Sequence, residues 1–259
     1  MTTARIAVLE ADPELVAGTE AWHRLGERLA RLSPDLLVLN ELPFGIWLAS
    51  SHEFDNVRWN ASVAIHDEAI ARLAELNVPA VVGSRPLTLP DGNRVNAGFS
   101  WTAEDGAVVR HHKRHLPHGP GYWETTWTAA GTRPFEPFEI AGITVGFMVC
   151  TDIMFPEHAR AYGRQGVDLI VCPRATPILD EAMFHAALSM AATVSGSYVA
   201  SSNRGYTDSD GFSYEGNGYV ISPRAITLAA TTPEESLLVV DIDTENARTK
   251  QARYPCDVD

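Results

Sequence analysis

The sequence predicts an α/β domain built on mixed rather than purely parallel sheets. Short apolar runs with no polar alternation, as in strands buried on both faces, alternate with helix-length segments in the first third of the chain. Two hairpin signals interrupt that alternation in the middle. Short strands separated by turn residues then close the chain. Helix-linked strands combined with hairpins require parallel and antiparallel pairing in the same sheet.

In order, residues 5–9 form a buried strand and 20–32 a helix, and 36–39 is a second strand, apolar on both faces. Residues 60–76 carry Val63, Ile70 and Leu73 on a helical stripe, and Asn77 suits the stop. Residues 79–82 make a third strand. Segments 95–102 and 108–112 flank an Asp-Gly turn, and 138–140 and 144–149 flank a second hairpin turn at 141–143. Pro156 and Glu157 start a helix that Gly166 ends. After a strand over 168–172, Asp180 caps a helix with Met183, Ala187, Met190 and Val194 on one stripe, stopped by Gly196. Strands over 198–202, 219–221, 226–230 and 237–242 complete the pattern. The Gly-, Asp- and Ser-rich stretch 203–218 is long enough to be a functional loop. No repeat or linker divides residues 1–259, so one domain is expected.

Composition narrows the function. The 259 residues include 20 Lys plus Arg against 33 Asp plus Glu, a formal charge of −13 that repels phosphate backbones. Nucleic acid is therefore excluded as the main partner. No apolar run reaches the roughly 20 residues that span a bilayer, and the first ten residues show no signal-peptide core, so neither membrane nor export is expected. Three cysteines without a Cys-x-x-Cys pair argue against a disulfide framework and for a reducing, cytoplasmic setting.

Chemistry concentrates at three strand ends. The run 145–149 reaches Cys150, and a Pro-started helix follows at Pro156. A side chain at such a turn projects above the sheet edge, and a helix N-terminus lowers a thiol pKa. The same pattern also fits a buried structural cysteine. Glu41 lies just past the strand 36–39 among apolar neighbours, where a carboxylate can serve as a proton shuttle or be an ordinary loop residue. Lys113, one of two lysines in the chain, ends the strand 108–112, where its compact ammonium can stabilise an oxyanion or simply be solvated. His111, His112, His115 and His118 cluster nearby, but no carboxylate or thiol sits at ligand spacing, so no metal is expected.

Taken together and in this order, Glu41-Leu42-Pro43, Lys113-Arg114-His115-Leu116 and Cys150-Thr151-Asp152-Ile153-Met154-Phe155-Pro156-Glu157 resemble the motifs of the nitrilase superfamily of carbon–nitrogen hydrolases. Ser202-Asn203-Arg204 and the segment 216–223 resemble later family motifs, so the likeness runs from Arg5 to Asp243. It implies a four-layer αββα sandwich that usually dimerises, and a Glu-Lys-Cys site that needs no cofactor. It also implies a second glutamate between the lysine and the cysteine, for which Glu124 is the matching position. On this reading Cys150 is the nucleophile, Glu41 the base, and Lys113 with the Thr151 backbone N–H the oxyanion hole.

Phe44, Trp47, Trp123, Trp127, Phe155 and Arg174 are the candidate substrate-binding residues. The family's dimer would use the helices near 155–165 and 180–195, whose Ala159, Ala161, Ala186 and Ala187 permit close approach. The expected substrate is a small amide. The nitrile-cleaving branch resembles Cys-Trp-Glu where this chain has Cys150-Thr151-Asp152. The N-carbamoyl branch resembles Cys-x-x-Arg-Arg where this chain has apolar Ile153 and Met154, which leaves Arg174 as the one arginine able to grip a carboxylate. A catalytically silent interaction protein on the same scaffold is the competing class. The presence of all four polar positions argues against it.

Overall fold

A computed structural model describes residues 3–12, 15–205, 207, 213–214 and 216–258. Its first half runs β1 (Thr3–Leu9), α1 (Glu20–Leu32), β2 (Leu36–Leu39), α2 (Asn56–Ala71), β3 (Ala80–Thr88), β4 (Arg94–Thr102), β5 (Gly106–His112), β6 (His118–Gly119), β7 (Tyr122–Trp123) and α3 (Glu124–Trp127). The second half runs β8 (Phe138–Ile140), β9 (Ile143–Phe147), α4 (Pro156–Arg164), β10 (Leu169–Val171), α5 (Glu181–Ser195), β11 (Tyr198–Ser201), β12 (Tyr219–Ile221), β13 (Thr227–Ala230), β14 (Leu237–Asp243) and α6 (Thr244–Gln251).

The strands form two six-stranded sheets, ordered β14-β1-β2-β3-β4-β5 and β13-β12-β11-β10-β9-β8. In the first, β1, β2 and β3 are parallel and their neighbours antiparallel. The second repeats this plan, with β9, β10 and β11 parallel. Side-chain alternation makes the layers. Ile6, Val8, Val38 and Val82 point to one face and pack with Val145, Phe147, Leu169 and Val171 of the other sheet. Ala7, Leu9, Leu37, Leu39 and Val81 point to the opposite face and meet Trp22, Leu29, Ile70 and Leu73 of the α1–α2 layer. With α4 and α5 covering the second sheet, the result is the αββα sandwich.

Local chemistry explains the boundaries that differ from the sequence reading. Helix α2 begins at Asn56 rather than 60 because the Asp55 carboxylate caps the N–H groups of Val57 (2.7 Å) and Arg58 (3.2 Å). It ends at Ala71, and a 3₁₀ turn, Leu73–Leu76, carries the chain to Asn77, which adopts φ +56°. Strand β3 runs on through Gly83 and Pro86 to Thr88 because all nine residues pair with β4, a ladder that local composition does not show. Helix α6 is polar and escapes the periodicity argument; the Asp243 carboxylate caps it through Glu245 N–H.

The predicted stripe on α5 is a correction. Phe184, Leu188, Ala191 and Ala192 face the core, while Met183 and Met190 stand about half exposed. The stripe is thus split: Met183 and Met190 face outward, while Ala187 and Val194 pack against the core edge. Ala159 of α4 is also core rather than free surface. The two helices pack tightly: a Cβ on Gly163 would overlap the Ser195 carbonyl. The loop predicted over 203–218 is described only in part, since 206, 208–212 and 215 lie outside the described residues. No helix among the described residues is long and apolar enough to cross a membrane.

Candidate active site

The C-terminal ends of β2, β5, β9 and β10 meet where the two sheets pack, and the polar residues follow those ends. Glu41 lies two residues past β2, and its N–H donates to the Arg174 carbonyl beyond β10 (3.1 Å), tying the two sheets together at this edge. Lys113 follows β5 directly. Its Nζ donates to Glu41 Oε1 (2.8 Å) and to both carboxylate oxygens of Glu124 (2.7 Å each) at the start of α3. All three side chains are buried. Glu41 Oε1 also accepts from Asn96 Nδ2 (2.7 Å), while the buried Oε2 has no partner among the described residues.

Cys150 stands just past β9 at the first residue of a 3₁₀ turn, Cys150–Met154, with φ +50°. That conformation is strained for a residue with a Cβ, and the surrounding backbone holds it: Cys150 N–H donates to the Pro173 carbonyl at 2.9 Å. Asp152 locks the turn. Its Oδ2 accepts from His111 Nε2 (2.8 Å) and Val149 N–H (3.2 Å), and its Oδ1 from His115 Nδ1 (2.9 Å) and the N–H groups of His115 (2.9 Å) and Arg114 (3.2 Å). The cysteine turn and the lysine loop are thus fastened to one carboxylate.

Charge is dense and dry here. Burial pushes the Cys150 thiol well above its ordinary range and the Glu41 charge pushes it further, with Lys113 opposing both. The sequence reading expected a helix N-terminus to lower this thiol. The turn after it is a short 3₁₀ turn, and desolvation beside carboxylates wins. Burial would depress the Lys113 ammonium, but the charges around it, that of Cys150 whenever the thiol is ionised and those of Glu124 and Glu41, outweigh burial and hold Lys113 well up. Burial raises Glu124 to about 8, with Lys113 opposing. Asp152 is held well below the usual carboxylate range because the hydrogen bonds from His111 and His115 overcome its burial.

Cys150 opens onto a cavity of about 330 Å³ whose wall includes Thr151, Met154, Tyr122, Ala175, Thr176, His118, Asp180 and Phe184. A strained cysteine, a lysine held between two carboxylates and a cavity in front of the thiol form a site for attack on a carbonyl-like carbon.

The family described as Carbon-nitrogen hydrolase matches residues 5–252. The chain belongs to the carbon-nitrogen hydrolase family. It is accordingly an enzyme that hydrolyses carbon–nitrogen bonds other than peptide bonds. Among relatives, the "Hydrolase in pqqF 5'region" of Pseudomonas protegens is 25% identical over 248 residues, 93% of this chain and 83% of that protein. A carbon-nitrogen hydrolase from Helicobacter pylori superimposes with a TM-score of 0.87 at 20% identity, covering 100% of this chain and 95% of its own. An amidase from Nesterenkonia sp. superimposes with a TM-score of 0.76 at 20% identity, covering 96% of this chain and 97% of its own. That structure is of a mutant of the amidase, in which acrylamide has undergone Michael addition at the active-site cysteine.

Within this carbon-nitrogen hydrolase, Glu41, Lys113, Glu124 and Cys150 converge as the sequence predicted, and Thr151 lies beside Cys150 on the cavity wall. The predicted substrate-binding residues do not reach that wall. Phe44 and Trp47 are buried in the core, with Trp47 Nε1 donating to the Gly121 carbonyl (2.9 Å). Trp127 is also buried, donating to the Ser51 carbonyl (2.8 Å). Trp123 packs edge-on against His52 and His118, and Phe155 stacks on His115. Arg174 is fully buried and donates to Ser201 Oγ (2.7 Å), Thr176 Oγ1 (2.8 Å) and the Asn217 carbonyl (2.6 Å). Its guanidinium joins loops, so it does not supply a carboxylate grip.

Sequence reasoning missed Asn96, whose place on β4 looks like any strand polar residue. It also missed the work of Asp152, although Cys-x-Asp stood in the quoted motif. His111 and His115 bond this carboxylate, and no group of three or more potential ligands among the described residues could hold a metal ion.

Proposed function

We propose that this enzyme is an amidase that hydrolyses a small amide through a thioester on Cys150, releasing ammonia or an amine and a carboxylic acid. One observation carries the reading. Glu41 binds Lys113 and Asn96 through Oε1, keeps a buried Oε2 without a partner among the described residues, and its charge acts on the Cys150 thiol, which burial holds neutral. A neutral thiol needs a base at the moment of attack, and that free oxygen is one.

Glu41 takes the Cys150 proton as sulfur attacks the amide carbon. Lys113 and the Thr151 N–H stabilise the tetrahedral oxyanion. The carbonyl re-forms, the C–N bond breaks, and Glu41 returns the proton to the departing amine. Glu41 then deprotonates a water that attacks the thioester, and the carboxylic acid leaves as the thiol is restored. Glu124 orients Lys113 through its two bonds.

An amide is favoured over an N-carbamoyl amino acid because Ile153 is buried in the core, Met154 is an apolar part of the cavity wall, and Arg174 is engaged elsewhere. The naming of the Nesterenkonia protein as an amidase supports the same reading, although its acrylamide adduct is a Michael addition that leaves the amide bond intact. The exposed Met183–Met190 face of α5 supports a homodimer, as expected from the resemblance.

The test is ammonia release over a panel of small amides, nitriles and N-carbamoyl compounds, with intact-mass detection of the acyl-enzyme. Amides should turn over fastest, and Cys150→Ala should lose activity and acyl adduct while keeping its fold. Retained activity in Cys150→Ala, or faster turnover of nitriles than of the matching amides, would overturn the proposal.

A further inference from the structure

The cavity wall in front of Cys150 is mostly apolar, and its charge is one-sided. Among the described residues it includes one carboxylate, Asp180, and no lysine or arginine. Asp180 immediately precedes α5, where an acid ordinarily caps the helix. Here its side chain makes no capping bond. The turn is held instead by its backbone N–H, which donates to the Pro177 carbonyl at 3.1 Å. No hydrogen bond or ion pair reaches the Asp180 carboxylate among the described residues, and it is half-buried. The other polar wall groups, Thr151, Thr176, His118 and Tyr122, are hydroxyls and an imidazole.

A half-buried acid with no cationic partner, on the wall of a reaction cavity, is a receptor for positive charge. It also repels any substrate bearing a carboxylate at its remote end. We propose that Asp180 is the specificity-determining residue of this site and selects amides whose remote end is cationic, an ammonium or guanidinium on an aliphatic chain. The inference rests on the amidase reading for the reacting end of the substrate. Apolar neighbours such as Pro177, Met183 and Phe184 suit the methylene chain between the two ends.

The experiment compares kcat/KM for three matched series: ω-aminoalkanamides, neutral isosteres with methyl in place of ammonium, and ω-carboxyalkanamides. Wild type should prefer the cation over its isostere by about tenfold at the best chain length, about 1.4 kcal/mol. The anion should fall below both, and 0.5 M NaCl should shrink the ratio. The formal charge of −13 favours any cation weakly, so the deciding quantity is the change of ratio on Asp180→Asn. Asparagine preserves shape and helix-start chemistry, and the ratio should collapse to within twofold of unity. A wild-type ratio at or below one at every length, or an unchanged ratio in Asp180→Asn, overturns the proposal.

A second measurement needs no turnover. Cationic, neutral and anionic methanethiosulfonates are compared for modification of Cys150, each normalised to its rate with free cysteine. A cation preference abolished by Asp180→Asn supports the assignment, and equal normalised rates refute it. If no amide is hydrolysed, the amidase reading fails while this ratio still decides the charge preference.

Discussion

Asp152→Asn tests whether one buried carboxylate holds the nucleophile turn and the lysine loop together. The variant has the same shape and removes one acceptor atom. Placing the new NH₂ at the Oδ1 position would set it against three donors, from His115 Nδ1 and the N–H groups of His115 and Arg114. The less costly orientation puts it at Oδ2, facing His111 Nε2 and Val149 N–H. His111 can accept there only by moving its proton to Nδ1, which is buried without a partner among the described residues. Two donors, on Val149 and His111, are thus orphaned at about 1–3 kcal/mol each, and the remaining bonds lose their charge assistance. A loss of about 3 kcal/mol corresponds to a Tm lowered by roughly 6–12 °C for a chain of this size.

Because Val149 immediately precedes Cys150, kcat should fall more than KM rises. Differential scanning calorimetry and amide kinetics on the same preparation read both effects. A Tm within 2 °C of wild type with full activity would refute the account of Asp152 as the clasp.

Asn96→Ala removes the second donor to Glu41 Oε1, but it also deletes Asn96 Oδ1, a buried acceptor without a partner among the described residues. Thermal unfolding should therefore shift by only a few degrees, while kcat falls about tenfold as Glu41 loses its orientation. Loss of stability without loss of kcat would contradict this. Buried His66 is lowered to about 3 by desolvation, against an ordinary 6.5. A lowered imidazole leaves the unfolded chain binding the extra proton, so the stabilisation is complete above pH 6.5 and is lost as pH falls toward 3. Glu10 and Glu124, raised by burial to about 7 and about 8, act in the opposite direction over this range. The His66 contribution is therefore read as the urea stability of wild type minus that of His66→Phe. This difference should fall between pH 7 and 4.5 by about 2 kcal/mol, and a constant difference would refute it. For assembly, light scattering at micromolar concentration should give a dimer, and Met190→Glu should give a monomer; a monomeric wild type would remove the dimer.

Much of the fold was legible because strands buried on both faces and capped helices leave local marks. Residues 36–39 and 169–171 are uninterrupted apolar runs that the structure shows as β2 and β10. Thr19 and Asp55 are local caps, though only Thr19 opens the helix where the sequence reading placed it. The candidate site was legible as an ordered set of segments, since Glu41, Lys113 and Cys150 each follow a strand. The pocket was not. Aromatic residues near the motif in sequence turned inward, because a large ring gains more from core burial than from lining a wet cavity.

The amino-acid order alone determined which residues end the strands, which of them are chemically able, and the class of layered fold that collects strand ends along one edge. Tertiary structure alone decided that Asn96 and Asp152 serve the reacting residues, that Arg174 is a structural clasp, and that Asp180 faces the cavity without a partner among the described residues. The physical reason is range. Capping and strand burial are settled within a few residues, whereas a hydrogen-bond partner is chosen across separations such as the 72 residues between Lys113 and Glu41 or the 41 between His111 and Asp152. Such pairs exist only after the two sheets have packed and excluded water.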